Sequence, residues 1–398
     1  MAQDPLEWLD EAFLASALQG EDDGKVTIVK FSATPAVAKG NNYMSHLYRV
    51  RVLYTLAESD LIVNSFIIKI PIPKSAFTEV LDSTDFYARE PRIYKELLPI
   101  FNKLVSCEFG PTFFHCPIKD GMVLKDMKEE GYIMCDKFKQ LDFSHCKLVF
   151  TKLAKFHASS VACYHKNPDL VRELGEDTMY TTKSELFVPF TKTSLKCFGK
   201  VLSEMDGCER IVEWLTSRKE DFIKSIADIC QPKSNGLNVL NHGDLWVNNM
   251  LFKHSDSGEV EDVKFIDYQL TRWSSPVQDL LYFVWTSANE EVRETRQKEL
   301  YSFYRHTLNS SLEQLGCPER LSEQELEDDL RAAVGYVLIT ISGALPFMYS
   351  ESDDAFNMEE LSADDMKTFD KIEPLYSKKR YTEILPKMMK QFQDLIDS

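Results

Sequence analysis

A chain of 398 residues is long enough for two domains or one bilobal enzyme, and 44% hydrophobic with 12% aromatic residues excludes global disorder. The net charge of −17 excludes a general binder of nucleic-acid backbones, which needs a basic face. It leaves a locally basic pocket open, because net charge speaks to solubility and steering rather than to one site.

The N-terminal MAQDPLEWLDEAF is acidic and lacks a basic, apolar leader, so no signal peptide is read. Asp4-Pro5 followed by LEWLDEAFLASAL and Gly20 predicts a capped amphipathic helix. From about residue 25 to 70, VTIVKFSA, HLYRVRVLYTL and LIVNSFIIKI predict strands separated by the turn-like KGNN and ESD. TDFYAREPRIYKELL returns to helical spacing, with Pro91 either kinking the helix or marking its first turn. PTFFHCPI and GMVLKDM predict two further strands.

Beyond about residue 128 the spacing is mostly helical, as in CKLVFTKLAKFHASSVACY, ERIVEWLTSRKEDFIKSIADIC and VRETRQKELYSFYRHTLNSSLEQL. The apolar run AAVGYVLITISGALPFMY, 18 uncharged residues, is short for a membrane span and carries Gly335, Gly343 and Pro346. It reads as a buried helix. The acidic ESDDAFNMEELSADD reads as a solvated loop or helix face.

One strand-like island, residues 238 to 268, interrupts the helical half, with Asp256-Ser257-Gly258 as its turn. Its first arm, LNHGDLWVNNMLF, sets His242, Asp244, Asn248 and Asn249 among apolar neighbours, and its second, VKFIDYQL, does the same with Asp267. Buried polar groups without partners cost about 1 to 3 kcal/mol each, so such a concentration calls for a reason. An Asp or Asn near a turn more often caps backbone. The hairpin, however, can bring Asn249 and Asp267 side by side as hard oxygen ligands suited to Mg²⁺ and substrate phosphates. Asp244, one loop earlier, could then face an incoming hydroxyl.

The pattern HxDxxxxN followed by a hydrophobic-Asp doublet resembles the protein-kinase-like fold, and His-Gly-Asp resembles its aminoglycoside and choline phosphotransferase branch. NHGDLWVNNMLF, FIDYQLTRWSSPVQDLLYF and GNNYMSHLYRV are similar to the ecdysteroid kinase-like (CHK kinase-like) family over nearly the whole chain, about residues 5 to 395. The resemblance implies an α+β bilobal fold. Residues 1–128 would form a small antiparallel-sheet lobe with one helix of the αC type, and residues 129–398 a larger helical lobe. It further implies an ATP- and Mg²⁺-dependent kinase that phosphorylates an alcohol.

An ATP phosphate clamp needs a cation from the N-terminal sheet, and Lys69 in SFIIKIP fits, with edge-strand solvation as the plain alternative. Glu90 stands at the family's matching position to orient it. Gly40, Asn42 and Ser45 would form a phosphate-covering turn, although a plain hairpin turn explains them equally well. The backbone of Lys125, Asp126 and Met127 would pair with adenine, unless Asp126 is only a turn cap. Asp244 would accept or orient the hydroxyl proton, and Asn249 and Asp267 would hold Mg²⁺. His242 and Asp279 would support the loop. HGD lacks the arginine of HRD, Asp267-Tyr268-Gln269 stands in place of DFG, and no APE segment follows, so a protein substrate is not implied.

The implied acceptor is a lipophilic small-molecule alcohol such as an ecdysteroid. Its pocket is expected between Asp244 and helices 186–206 and 323–350, lined by Phe187, Phe190, Phe198, Tyr336, Phe347 and Met348, unless these are ordinary core. A choline- or aminoglycoside-type kinase, a metal-dependent hydrolase built on His242, Asp244 and Asp267, and a nucleotide- or lipophile-binding pseudokinase remain open. Nine cysteines without a CxxC pair read as reduced thiols of a cytoplasmic protein, with neither structural zinc nor disulfides expected. No nucleic acid, membrane span or oligomer is expected.

Overall fold

A computed structural model describes residues 6–19, 26–37, 44–57, 60–82, 84–218, 221–351 and 361–397. Gly20, the KGNN turn with Gly40 and Asn42, and most of the acidic stretch after Glu351 lie outside the described residues.

The β-branched N-terminal segments form β1 (Val26–Pro35), β2 (Ser45–Leu56) and β3 (Ile62–Pro71), joined by the short β4 (Phe113–Phe114) and β5 (Met122–Lys125). The sheet is antiparallel throughout, in the order β1-β2-β3-β5-β4. Alternation puts Val50, Val52, Phe66 and Ile68 on one buried face. That face packs against Phe13, Leu14 and Ala17 of the helix Glu11–Gln19 in a core of its own. The stretch PTFFHCPI pairs over only two residues, because Pro111 and Pro117 have no N–H for a ladder.

A helix Phe86–Arg92 continues through a π-turn, Ile93–Leu97, into Leu98–Val105. Pro91 therefore lies inside the helix rather than in its first turn, just upstream of the widened turn. This helix joins the main core together with the long helix Phe143–Lys166.

Within the helical part, β6 (Tyr132–Met134), β7 (Val239–Asn241), β8 (Met250–His254), β9 (Val260–Phe265) and β10 (Arg272–Ser274) make two small sheets. One is β6-β8-β9 and the other pairs β7 with β10. Gly258, at φ +85°, turns the β8–β9 hairpin, and Met250 lies opposite Phe265. Residues 209 to 229 break into two helices, Glu209–Arg218 and Phe222–Ile229. The helix Val277–Ser287 is buried along its entire length. Tyr336, Val337, Leu338, Ile341 and Leu345 are likewise core, through a π-turn at Thr340–Ala344 that includes Gly343. No single helix among the described residues is long and apolar enough to cross a membrane. Glu323–Ala332 and Val334–Met348 reach that length and composition only as a pair bent by 50°. All nine cysteines are free.

Candidate active site

The chain leaves β7 at Asn241 and turns at once. Gly243 makes the turn possible: its φ is +83°, and a Cβ there would lie 1.9 Å from the carbonyl oxygen of Leu270. The buried carboxylate of Asp279 accepts the backbone N–H of His242 at 2.6 Å and of Gly243 at 2.9 Å. His157 Nε2 lies 3.2 Å from the same group. Burial works against the Asp279 charge, but His157 and the loop amides outweigh it and hold its pKa below the ordinary aspartate value. Burial likewise lowers the pKa of His242, so its ring is neutral. It donates from Nε2 to the Ile266 carbonyl at 3.0 Å, which leaves Nδ1 to accept the Asp244 N–H at 3.3 Å.

The loop presents Asp244 with both oxygens engaged. Tyr282 donates its hydroxyl to Oδ1 at 2.6 Å, and Asn249 Nδ2 donates to Oδ2 at 2.8 Å and to the Asp244 carbonyl at 2.9 Å. Burial and the negative charge of Asp267 nevertheless push the Asp244 pKa up to about 7. Asn249 spends its N–H groups on Asp244, so its amide oxygen is the atom available to a cation. The backbone N–H of Ile266 bonds the Asn249 carbonyl at 3.0 Å, which brings the end of β9 and Asp267 alongside Asn249.

Asp267 is a non-glycine residue at φ 71°, ψ 60°. Its Oδ1 lies 2.7 Å from Lys69 Nζ, which also meets Glu90 Oε2 at 2.6 Å. Glu90 Oε1 accepts the Tyr268 N–H at 3.2 Å. Burial lifts Glu90 above the ordinary glutamate range, against the pull of Lys69. Lys69 is held above the ordinary lysine value because Asp267 and Glu90 outweigh its own burial. Two carboxylates face one ammonium, so the proton stays on Lys69. The sheet, the helix Phe86–Arg92 and the hairpin thus meet at one charge cluster.

The remaining candidates lie along the sheet. Ser45 opens β2 opposite Pro71 and is buried. The Lys125 amide bonds the Thr112 carbonyl and that of Asp126 bonds Ser65, so both are committed to neighbouring backbone. The Asp126 carboxylate takes Arg49 Nε at 2.7 Å and Ser65 Oγ at 2.8 Å, and it caps Lys128 N at 3.2 Å. The turn-cap alternative therefore describes this side chain. Lys125 is paired with Glu130, and buried Met127 opens the 3₁₀ turn Met127–Glu130.

Asp244 lines a cavity of about 290 Å³. Phe187, Phe190, Tyr336, Phe347 and Met348 line it, as the helical spacing allows, whereas Phe198 is fully buried core. Trp246 and Tyr282 flank the carboxylate, and Phe77, Leu81 and Phe369 complete the apolar wall.

Residues 39–317 match the sequence model of the ecdysteroid kinase-like family, well over half of the chain. The chain belongs to the ecdysteroid kinase-like family. No curated protein gives a match. Among solved structures, a choline kinase from Cryptosporidium parvum is similar at 13% identity, over 92% of this chain and 90% of that one, with a TM-score of 0.47. An ethanolamine kinase from Plasmodium vivax is similar at 13% identity, over 92% and 84%, with a TM-score of 0.40. A microcompartment-associated aminopropanol kinase covers 96% of this chain and 98% of its own at 12% identity, with a TM-score of 0.34. The assignment rests on the sequence match.

Two residues inside FIDYQLTRWSSPVQDLLYF of this ecdysteroid kinase-like chain receive no role from the motif reading. Tyr282 sits three positions after Asp279, on the same face of its helix, and that spacing is the signal that could have found it. Arg272 is buried behind the loop, with its guanidinium 4.3 Å from the Tyr180 ring centroid and Nη2 3.5 Å from the Gly243 carbonyl.

Proposed function

We propose that this protein transfers the γ-phosphoryl group of ATP to a hydroxyl of a lipophilic small molecule, an ecdysteroid or a comparable hydroxylated compound. The observation that carries the reading is Asp244, the one charged side chain among the residues that line a mainly apolar cavity. It lies close enough to Asp267 of the Lys69–Glu90–Asp267 cluster to feel its charge. Residues 1–128 would carry the nucleotide and residues 129–398 the acceptor.

The residues fit the groups this reaction requires. The Asp267 carboxylate and the Asn249 amide oxygen are hard donors of the kind Mg²⁺ takes, and Lys69 is a buried cation suited to phosphate oxygens. Bound ATP with Mg²⁺ supplies the phosphoryl group and neutralises charge on it. Lys69 is oriented by Glu90, and Asp279 fixes the loop amides. Asp244 orients the acceptor hydroxyl and takes its proton, while the apolar wall excludes water that would otherwise compete as acceptor. Most of the rate gain would come from positioning.

A choline-type acceptor is the second reading, favoured by Tyr180, Tyr336 and Phe187 in the wall. The stacking of Arg272 on Tyr180 places a cation on one of those rings and supports the neutral acceptor instead. A hydrolase centred on His242 is disfavoured because both ring nitrogens are bonded to backbone. The test incubates the protein and ATP-Mg²⁺ with hydroxylated sterols and, separately, with choline and ethanolamine, scoring the phosphate mass shift. Transfer to a sterol but not to the cations is expected. Transfer to the cations alone would replace the acceptor assignment, and binding of nucleotide without any transfer would make this a pseudokinase.

A further inference from the structure

A second cluster of chemistry-bearing side chains lies at the end of β8 remote from Asn249. His254 closes β8, Cys135 directly follows β6, and His145 stands in the first turn of the helix Phe143–Lys166. One ligating atom from each of the three lies within 4.8 Å of the others. The Nε2 atoms of His145 and His254 face each other at 3.0 Å. His145 Nδ1 lies 2.7 Å from Asp142 Oδ1, a carboxylate that accepts a hydrogen bond from that nitrogen and so leaves the lone pair on Nε2. Two imidazole nitrogens at this separation are bridged either by a proton or by a cation. A thiol as third neighbour favours the cation, and a carboxylate behind a histidine is the usual outer partner of a metal-bound ring. All three side chains are only partly buried, so an ion can enter and water can complete its coordination.

We propose that Cys135, His145 and His254 bind Zn²⁺, with Asp142 orienting His145. The donor set of one sulfur and two nitrogens suits zinc and is poorly matched to Mg²⁺. On binding, the Cys135 thiol releases its proton to solvent and its sulfur bonds the metal, without any change of oxidation state. The ion would tie β6, the segment leaving Asp126–Gly131, to the long helix and to the strand that continues from Asn249. It stands independently of phosphotransfer.

Among the described residues His165, Cys317 and Glu319 also converge, but His165 Nε2 is already 2.8 Å from the Glu319 carboxylate, and Cys317 is buried. That set serves as the control. The full chain, stripped with a chelator, is titrated with Co²⁺ by absorption and with Zn²⁺ in competition with a chromophoric chelator. A single equivalent with a thiolate-to-cobalt band is expected. Cys135→Ser should abolish the band, and Asp142→Asn should weaken zinc by about 10- to 100-fold. His165→Gln should change neither. Absence of the band in the unaltered chain, or its persistence in Cys135→Ser, overturns the proposal. Matching circular-dichroism melts in chelator identify loss of the band in a variant as loss of a ligand rather than of the fold.

Discussion

At Asp244 two donors, Tyr282 and Asn249, work against burial and the charge of Asp267, and the balance leaves the pKa at about 7. The folded state therefore holds this proton more tightly than the unfolded chain does, and stability is lost as pH rises from about 4 to about 7. Asp244→Asn should remove that loss. At pH 8 the variant should unfold about 1 to 3 kcal/mol harder than the parent, with little difference near pH 4, while phosphotransfer falls by orders of magnitude. Denaturant melts at both pH values with a turnover assay check this; turnover at the parental rate would sink the base assignment. Tyr282→Phe deletes a donor that lowers the Asp244 pKa, so the acid limb of kcat/KM should move to higher pH. The hairpin spacing singled out Asp244, Asn249 and Asp267, the strand context singled out Lys69, and Glu90 came from the family resemblance. The structure brings Lys69, Glu90 and Asp267 into one cluster and sets Asn249 against Asp244. Tyr282 was not legible, because its partner lies 38 residues away and tyrosine in a buried helix is ordinary.

Among elements, the turn between β7 and β8 is the most tightly specified. The left-handed φ at Gly243 and the Leu270 carbonyl leave no room for a methyl group. Gly243→Ala should cost at least about 1 to 3 kcal/mol and displace Asp244, lowering kcat far more than nucleotide affinity. Thermal melts beside nucleotide titration separate the two effects. The hairpin was readable from its two polar-interrupted arms and Gly258. The shortening of the Phe113–Phe114 strand and the π-turn after Pro91 were not, because each depends on how neighbouring segments accommodate a proline.

For the whole molecule, the sheet rests on two cores rather than one. Leu14, 1% exposed, anchors the outer core that also holds Val50, Val52 and Ile68. Leu14→Ala should destabilise the protein by about 2 to 5 kcal/mol. Saturating nucleotide should recover part of that through its preference for the folded sheet, read as a shift in Tm. The cavity beside Asp244 was half legible. Helical spacing pointed to Phe187, Phe190, Tyr336, Phe347 and Met348, but Phe77, Leu81 and Phe369 come from segments that only tertiary packing brings together. The cysteine–histidine cluster was hidden for the same reason, since positions 135, 145 and 254 form no local motif.

The backbone at Asp267 has a consequence for how this chain can change by descent. A left-handed φ of 71° is tolerated by glycine, asparagine and aspartate and penalises longer side chains by about 1 to 2 kcal/mol. Glutamate, which would keep the charge, is therefore disfavoured by the main chain. Asparagine and glycine, which abolish the charge, are the replacements the fold accepts, and each is a single nucleotide away from aspartate. At this position the shortest mutational path out of the proposed activity is one the backbone conformation accommodates.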